Sequence, residues 1–196
     1  MTKSRYIAIE GVDGAGTTTM SRLLVDHLSQ TEPALLMAEP GHPKVAPLIR
    51  SLLKGEATPR VEAARALLFA ADRLLRHDLF ERMLGDGVTI VSDRCYLSSL
   101  AYQPSEALPE AWVESLQRHI LRPDVIVHLR VTPEVALSRM SGRIERDVYE
   151  TEAAVRRHVE RYDRLADTMA SVVTVDANGS KEETLAGVVR AVEDSR

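Results

Sequence analysis

The stretch at residues 9–19 reads IEGVDGAGTTT and combines closely spaced glycines with threonine hydroxyls. An apolar run at residues 6–9 leads into it, and a helical pattern of apolar residues follows from about Thr17. In such a turn successive backbone N–H groups point inward, and the helix adds the positive end of its dipole. The order of strand, turn and helix predicts a phosphate-binding loop; an ordinary glycine-rich turn is the alternative. The predicted phosphate-binding residues are Gly11, Val12, Asp13, Gly14, Ala15, Gly16, Thr17, Thr18 and Thr19.

One cation that such a loop normally carries is missing. The template GxxxxGK[ST] aligns Gly11 and Gly16 with its glycines and Thr18 with its hydroxyl, but Thr17 stands at the lysine position. A charged segment at residues 138–150 is predicted to be a mobile basic lid, because an arginine that closes over the transferred oxygens accelerates phosphoryl transfer strongly. An ordinary solvated charged loop is the alternative. The candidate replacements for the lysine are Arg139, Arg143 and Arg146.

An acidic and a basic residue follow a third apolar run at residues 88–91. Asp93 and Arg94 would lie at the carboxyl edge of a parallel sheet, where such sheets place their ligands. The Asp93 carboxylate and the Thr18 hydroxyl suit the Mg²⁺ that bridges nucleotide phosphates. Arg94 beside them suits the phosphate of an acceptor. A salt bridge at a strand end is the alternative.

A long helix, predicted from Pro59 to about residue 84, carries Phe69 and Arg73 one turn apart on one face. A ring beside a guanidinium can sandwich a base and donate to its carbonyl, although Phe69 could equally be an ordinary core residue. The same helix has a broad apolar surface, which fits either a helix central to the monomer or a second protein partner. The apolar residues are Ala64, Leu67, Leu68, Ala70, Ala71, Leu74, Leu75 and Leu79.

Five apolar runs alternate with segments of helical periodicity, which is typical of a parallel sheet covered by helices on both faces. The runs are at residues 6–9, 34–38, 88–91, 125–131 and 172–175. Further helices are predicted at residues 45–53, 110–120, 152–169 and 181–192, and after Pro133 with an interruption from Ser138. We expect a three-layer α/β fold that forms one domain over residues 1–196, with the lid at about residues 138–150.

The composition excludes several kinds of partner. A net charge of −4 over 196 residues argues against wrapping nucleic acid. The sequence has no apolar run long enough to span a membrane. A single cysteine, Cys95, agrees with a reducing compartment. We therefore expect a cytoplasmic protein without nucleic-acid or membrane partners.

Several motifs are spread over nearly the whole chain. They are EGVDGAGTTT, the dipeptide EP at residues 39–40, LLFAADR at 67–73, SDRCYLSSLAYQ at 92–103, RPD at 122–124, DVYE at 147–150 and VDA at 175–177. Taken together, they resemble the thymidylate kinase (dTMP kinase) family. FAADR and DRxYxSSxAYQ are specific to that family among P-loop kinases. The resemblance implies a P-loop kinase fold with a five-stranded parallel sheet, a homodimer, and transfer of the γ-phosphoryl group of ATP to dTMP with Mg²⁺, giving dTDP for dTTP synthesis.

The resemblance also implies roles for residues. Phe69 would stack on thymine, Arg73 would donate to its O4, and Gln103 would lie near the base. Tyr102 would pack where a ribose 2′-hydroxyl would clash, and Asp13 would approach the 3′-hydroxyl. The implied dTMP-binding residues are Asp13, Arg50, Phe69, Arg73, Arg94, Ser98, Tyr102 and Gln103, and the implied catalytic residues are Arg143, Arg139, Arg146, Asp93 and Asp13.

The chain departs from the family pattern at several positions. Ala38, Cys95 and Val148 replace a usual arginine, tyrosine and arginine. Thr17 replaces the phosphate-loop lysine, and Ala15 offers no arginine from the loop, so we expect Arg143, assisted by Arg139 or Arg146, to supply the lost charge. Three alternatives stay open: a catalytically weak nucleotide-binding homologue, a kinase for dUMP, a deoxynucleoside or another monophosphate, and a protein-interaction module without nucleotide.

Overall fold

The computed structural model describes residues 4–55, 58–141 and 151–195. They form a five-stranded parallel sheet in the order β2-β3-β1-β4-β5, with helices between successive strands. This confirms the predicted α/β fold with a five-stranded parallel sheet. The strands are β1 Tyr6–Glu10, β2 Ala34–Ala38, β3 Thr89–Asp93, β4 Val125–Arg130 and β5 Val172–Asp176.

The described residues also form nine helices. They are α1 Thr17–Leu28, α2 Ala46–Leu53, α3 Pro59–Leu74, α4 His77–Gly85, α5 Tyr96–Tyr102, α6 Glu110–Ser115, α7 Pro133–Met140, α8 Glu152–Thr168 and α9 Lys181–Asp194. In this part of the chain no helix is both long enough and apolar enough to cross a membrane.

The central strand β1 positions the site. All five of its residues are buried between β3 and β4. Its register pairs Ile9 with Asp93, so the end of β1 and the end of β3 meet at one edge of the sheet. The loop that follows β1 and the acidic residue that ends β3 are thereby held side by side.

The predicted long helix from Pro59 to about residue 84 is wrong in one respect, because the chain breaks into α3 and α4. At the break the backbone N–H of Arg76 donates to the carbonyl of Arg73, three residues back, at 3.1 Å. The buried Arg76 guanidinium lies 3.0 Å from Asp72 and 3.2 Å from Glu39. The ion pair with Glu39, which follows β2, holds the Arg76 side chain toward the interior. The chain therefore turns at Arg76, and α3 and α4 do not form one continuous helix.

Helix α3 buries charge and exposes leucines. Arg65, Asp72 and Arg73 lie inside, whereas Leu67 and Leu74 have 52% and 42% of their surface exposed. In the monomer Leu67 and Leu74 therefore do not pack fully into the core.

Two other boundaries differ from the prediction. Helix α6 ends at Ser115, after which the N–H groups of Gln117 and Arg118 donate to carbonyls three residues back and form turns in place of a helix reaching Ile120. Helix α7 continues to Met140 through the predicted interruption at Ser138. Most of the predicted lid, with Arg143 and Arg146, lies outside the described residues.

Candidate active site

The loop between β1 and α1 turns tightly at two glycines. Gly14 has a φ of 86°, and a Cβ there would lie 2.5 Å from the carbonyl oxygen of Ala136. Gly16 has a φ of 99° and precedes the first residue of α1. Such left-handed conformations are closed to most side chains, so glycine is required at both positions.

The loop lines a cavity of about 540 Å³, partly open to solvent, which we call the loop pocket. All the predicted phosphate-binding residues except Gly11 line it. Thr17, at the lysine position, is 6% exposed, and the cations that also line the pocket in the described chain are Arg94, Arg139 and Lys181. The lining residues are Val12, Asp13, Gly14, Ala15, Gly16, Thr17, Thr18, Thr19, Met20, Arg94, Arg139, Gly179, Ser180, Lys181 and Thr184.

The two predicted metal ligands lie together at the sheet edge. The Thr18 hydroxyl donates to Asp93 Oδ2 at 2.6 Å. The other Asp93 oxygen, Oδ1, is buried and accepts no hydrogen bond within the described chain. The described residues form no cluster of three or more His, Cys, Asp or Glu side chains that could hold a metal. The Thr18 and Asp93 oxygens fit Mg²⁺ carried by a nucleotide, since this ion takes one or two protein oxygens together with phosphates and water.

Arg94 lies between β3 and the phosphate loop with an unusual backbone. Its φ is 75°, a left-handed value that costs a non-glycine residue about 1 kcal/mol. Its guanidinium donates to the Gly11 carbonyl at 2.8 Å and to Asp13 at 2.6 Å. Burial opposes its charge, but Tyr102, Asp13 and other acidic neighbours together raise the pKa of Arg94 well above its usual value. Arg94 is therefore a fixed positive charge.

A second cavity of about 130 Å³, the side pocket, adjoins the loop pocket. The two pockets share Asp13 and Arg94. Tyr102 closes the boundary, since its hydroxyl lies 3.1 Å from both the Asp13 N–H and Asp13 Oδ2. The structure thus brings together every predicted acceptor-site residue except Arg50. The lining residues are Asp13, Glu39, Pro40, Leu53, Phe69, Arg73, Arg94, Ser98, Ser99, Tyr102 and Gln103.

A ring, a cation and an acceptor face the side pocket. The Arg73 guanidinium carbon lies 5.8 Å from the centre of the Phe69 ring. Four of the five Arg73 N–H donors bond to protein, among them Nε to Glu39 at 2.7 Å. Gln103 Oε1 is buried without a partner in the described chain. Phe69, Arg73 and Gln103 thus line one pocket, and within the described chain one Arg73 N–H and Gln103 Oε1 have no hydrogen-bond partner.

Arg50 lies away from the side pocket, and Arg139 lies at the wall of the loop pocket. Arg50 does not line the side pocket, and its Nη2 donates to the carbonyl of Pro40 at 2.9 Å. The Arg139 guanidinium bridges the phosphate loop to the turn before α9, with Gly14 and Gly179 carbonyls at 3.5 and 3.2 Å. These are long contacts at an exposed side chain, so Arg139 lies at the wall of the loop pocket and is weakly held.

The sequence analysis missed a buried carboxylate under the site. Glu10, with no exposed surface, accepts from the Cys95 N–H at 2.8 Å, from both donors of Ser98, and from the Tyr162 hydroxyl at 2.8 Å. The same carboxylate lies 3.9 Å from Arg94. An acidic residue inside an apolar strand was the available signal for Glu10. Tyr162, 152 positions away, had none.

Two buried histidines support these tyrosines. His128 stacks on Tyr162 with ring centres 5.3 Å apart, and His158 lies 4.4 Å from the Tyr102 ring. Burial lowers the pKa of both histidines from 6.5 to about 4. Both are neutral at pH 7.

We expect the free energy of unfolding to fall as the pH drops from about 6.5 to about 4. In this window the unfolded histidines bind protons and the folded ones do not, which favours the unfolded state by up to about 2 kcal/mol per histidine near pH 5. Urea unfolding of the wild type and of His128→Phe, near pH 7 and near pH 5, measures this. The variant keeps a ring against Tyr162 and should lose less stability on acidification; equal losses would contradict the account.

A parallel sheet, a glycine-rich phosphate loop, a threonine and aspartate pair beside it, and an adjoining pocket for a flat ring define a P-loop kinase that acts on nucleotides. The family model described as thymidylate kinase matches residues 9–188. The chain belongs to the thymidylate kinase family.

Relatives from archaea match along most of their length. A protein of Thermococcus onnurineus, named "Probable thymidylate kinase", is 34% identical over 198 residues, which cover 96% of this chain and 97% of the relative. A protein of Methanothermobacter thermautotrophicus with the same name is 41% identical over 165 residues, which cover 83% of this chain and 81% of the relative. That from Methanocaldococcus jannaschii is 33% identical over 183 residues, covering 93% of each chain.

Proposed function

We propose that this chain transfers the γ-phosphoryl group of ATP to dTMP, giving dTDP. Its membership of the thymidylate kinase family and the names of its relatives support this activity. The observation that carries the proposal is that the loop pocket and the side pocket share Asp13 and Arg94. A donor triphosphate in the first pocket and an acceptor monophosphate in the second would meet at these two residues.

The side pocket suits a thymine base. Phe69 offers its face to a flat ring, the remaining Arg73 donor suits the O4 carbonyl, and the unpaired Gln103 Oε1 suits the N3–H. Cytosine has an amino group at C4 and no proton on N3. Its amino group would meet the Arg73 donor, and its N3 lone pair would meet the Gln103 Oε1 acceptor, so neither pair could form a hydrogen bond. The pattern thus favours thymine or uracil bases.

The phosphate groups would be bound by the glycine-rich loop and by arginines. Arg94 would bind the acceptor phosphate, because its guanidinium is charged and planar and the residue lines both pockets. Asp13, which now pairs with Arg94 and Tyr102, would approach the sugar hydroxyl and orient the acceptor. Thr17 leaves the loop without its lysine, and we assign the missing charge to Arg143, assisted by Arg139 or Arg146.

Thr18 and Asp93 would hold Mg²⁺ with the nucleotide. The ion, when bound, neutralises phosphate charge and aligns the phosphate groups. The unpaired Asp93 Oδ1 supports this assignment.

A coupled assay with ATP, Mg²⁺ and each of dTMP, dUMP and dCMP tests the function. We expect turnover with dTMP and much weaker turnover with dCMP. Intact dTMP binding without turnover would instead support a catalytically weak homologue, and preferred use of another monophosphate would identify a different kinase.

We also propose that the chain forms a homodimer through α3 and α4. Four leucines between 40% and 58% exposed lie on α3, on α4 and at the junction between them: Leu67, Leu74, Leu75 and Leu79. Contiguous exposed leucines favour association, because water contact of apolar surface is costly. None of the four lines either pocket, so pairing would leave both open.

Replacing Leu67 with glutamate should convert the dimer to a monomer, since a charge in the apolar interface lacks a partner. Sedimentation velocity at micromolar concentration measures the mass. Leu35→Glu is the matched control, because Leu35 is similarly exposed, at 49%, but lies on the edge strand β2. A monomeric wild type, or a dimeric Leu67 variant, would contradict the proposed interface.

A further inference from the structure

Gln117 is a buried polar residue with a partner in the site. It lies in the turn after α6, and none of its surface is exposed. Its amide Nε2 donates to the carbonyl of Val113 at 3.4 Å, and its Oε1 accepts from Arg73 Nη1 at 3.0 Å. The residue does not line the side pocket. It therefore contacts Arg73 from behind, out of reach of a ligand in that pocket.

The other partners of Arg73 differ from Gln117 in this respect. Glu39 and Ser99, which accept from Nε and Nη1 at 2.7 and 2.8 Å, both line the side pocket. A ligand or water in the pocket can compete for a serine hydroxyl, which rotates freely. The Cys95 carbonyl, 3.1 Å from Nη2, is fixed backbone. Arg73 Nη1 thus donates to two side chains, Ser99 and Gln117, and only the bond to Gln117 is independent of the contents of the pocket.

The hydrogen bond from Arg73 to Gln117 affects the orientation of the whole guanidinium group. The five N–H groups of an arginine lie in one plane, so bonds to Nε, Nη1 and Nη2 also set the direction of the fifth. With four donors engaged, the remaining Nη2–H is the donor left for a base. Loss of the Gln117 acceptor would leave one Nη1–H buried and unpaired, and the plane could turn to relieve it.

We propose that Gln117 is a positioning residue for the acceptor base, because it holds the Arg73 plane so that the remaining donor meets the pyrimidine C4 carbonyl. The inference rests on the proposed function. It makes selection for a C4 carbonyl over a C4 amino group depend on a residue that touches no substrate.

Two substitutions at position 117 separate positioning from packing. Gln117→Met keeps the length and shape of the side chain and removes the acceptor. Gln117→Glu keeps an oxygen toward Arg73. Thr89→Val is the control for loss of a buried polar group, since Thr89 is 1% exposed, bonds to Glu32 at 3.1 Å and lines neither pocket.

We expect Gln117→Met to raise the KM for dTMP about 10-fold, with kcat within about 2-fold and the KM for ATP unchanged. Its preference for dTMP over dCMP should fall, and Gln117→Glu should restore most of the KM. Thr89→Val should leave all three constants unchanged. If Gln117→Met were too unstable to assay, Gln117→Asn would serve as the second variant, because it keeps an amide but draws the acceptor back by one methylene group. Calorimetric binding should then show a reduced preference for dTMP over dCMP, and a wild-type preference would overturn the role.

An unchanged KM for dTMP in Gln117→Met, or equal losses in kcat and in the KM for ATP, would overturn the positioning role. That result leaves the proposed function standing, because wild-type turnover of dTMP is measured in the same assay. Absence of wild-type turnover would reject the function itself.

Discussion

Replacing Arg94 with lysine should lower kcat/KM for dTMP by about 10²-fold, and replacing it with alanine by about 10³-fold or more. Lysine keeps the positive charge but offers no planar fork, so it cannot reproduce the bonds to Gly11 and Asp13 while it binds a phosphate. Alanine also leaves Glu10 and Asp13 without their cation. Steady-state kinetics with varied dTMP at saturating ATP gives the values.

Arg130→Lys is the matched control for this series. Arg130 also pairs with an aspartate, Asp163 at 2.7 Å, but its side chain is 43% exposed and lines neither pocket. We expect its kinetics to equal those of the wild type. The lysine variant is the decisive test, because alanine at position 94 can unfold the chain. If kcat/KM of Arg94→Lys for dTMP were within about 3-fold of wild type, Arg94 would not bind the acceptor.

Replacing Arg143 with alanine should lower kcat by about 10² or more, with little change in dTMP affinity. The reason is that a cation acting on the transferred oxygens stabilises the transition state and contributes little to binding of the acceptor. Arg143 lies outside the described residues, so the prediction rests on the missing loop lysine at Thr17 and on the composition of the lid. Rapid-quench and steady-state kinetics with ATP and dTMP measure it.

Arg157→Ala controls for loss of a surface arginine near the lid. Arg157 is exposed on α8, a few residues beyond the lid, and lines neither pocket. Its kcat should match the wild type. A near-wild-type kcat for Arg143→Ala would move the catalytic charge to Arg139, Arg146 or Lys181.

The pattern of apolar residues along the chain predicted the five strands of the sheet. Each strand is a short apolar run flanked by helical periodicity, and every predicted run overlaps an observed strand. The break at Arg76 could not be predicted, because it depends on ion pairs with Glu39 and Asp72 that the fold creates. The burial of Arg65 and Asp72 could not be predicted either, because helical periodicity assigns the leucines of this helix to the core.

Candidate site residues in contiguous motifs could be proposed from the sequence, whereas residues that act across the fold could not. The glycines, Thr18, Asp93 and Arg94 follow from motif spacing and from their place at strand ends. Tyr162 and Gln117 reach the site through hydrogen bonds to residues 152 and 44 positions away, for which one sequence carries no signal. Glu10 was missed although it opens the motif EGVDGAGTTT. The assigned roles, the dimer and the cytoplasmic location stay predictions.

The central claim is that a phosphate loop without its lysine, joined to a thymine pocket at Asp13 and Arg94, passes phosphate from ATP to dTMP. A crystal structure with dTMP and a non-hydrolysable ATP analogue tests it most directly. We predict thymine on Phe69 with its O4 toward Arg73, the acceptor phosphate on Arg94, the triphosphate in the glycine loop, and a lid guanidinium on the γ-phosphate. An empty glycine loop, or a γ-phosphate that no arginine reaches, would contradict the account.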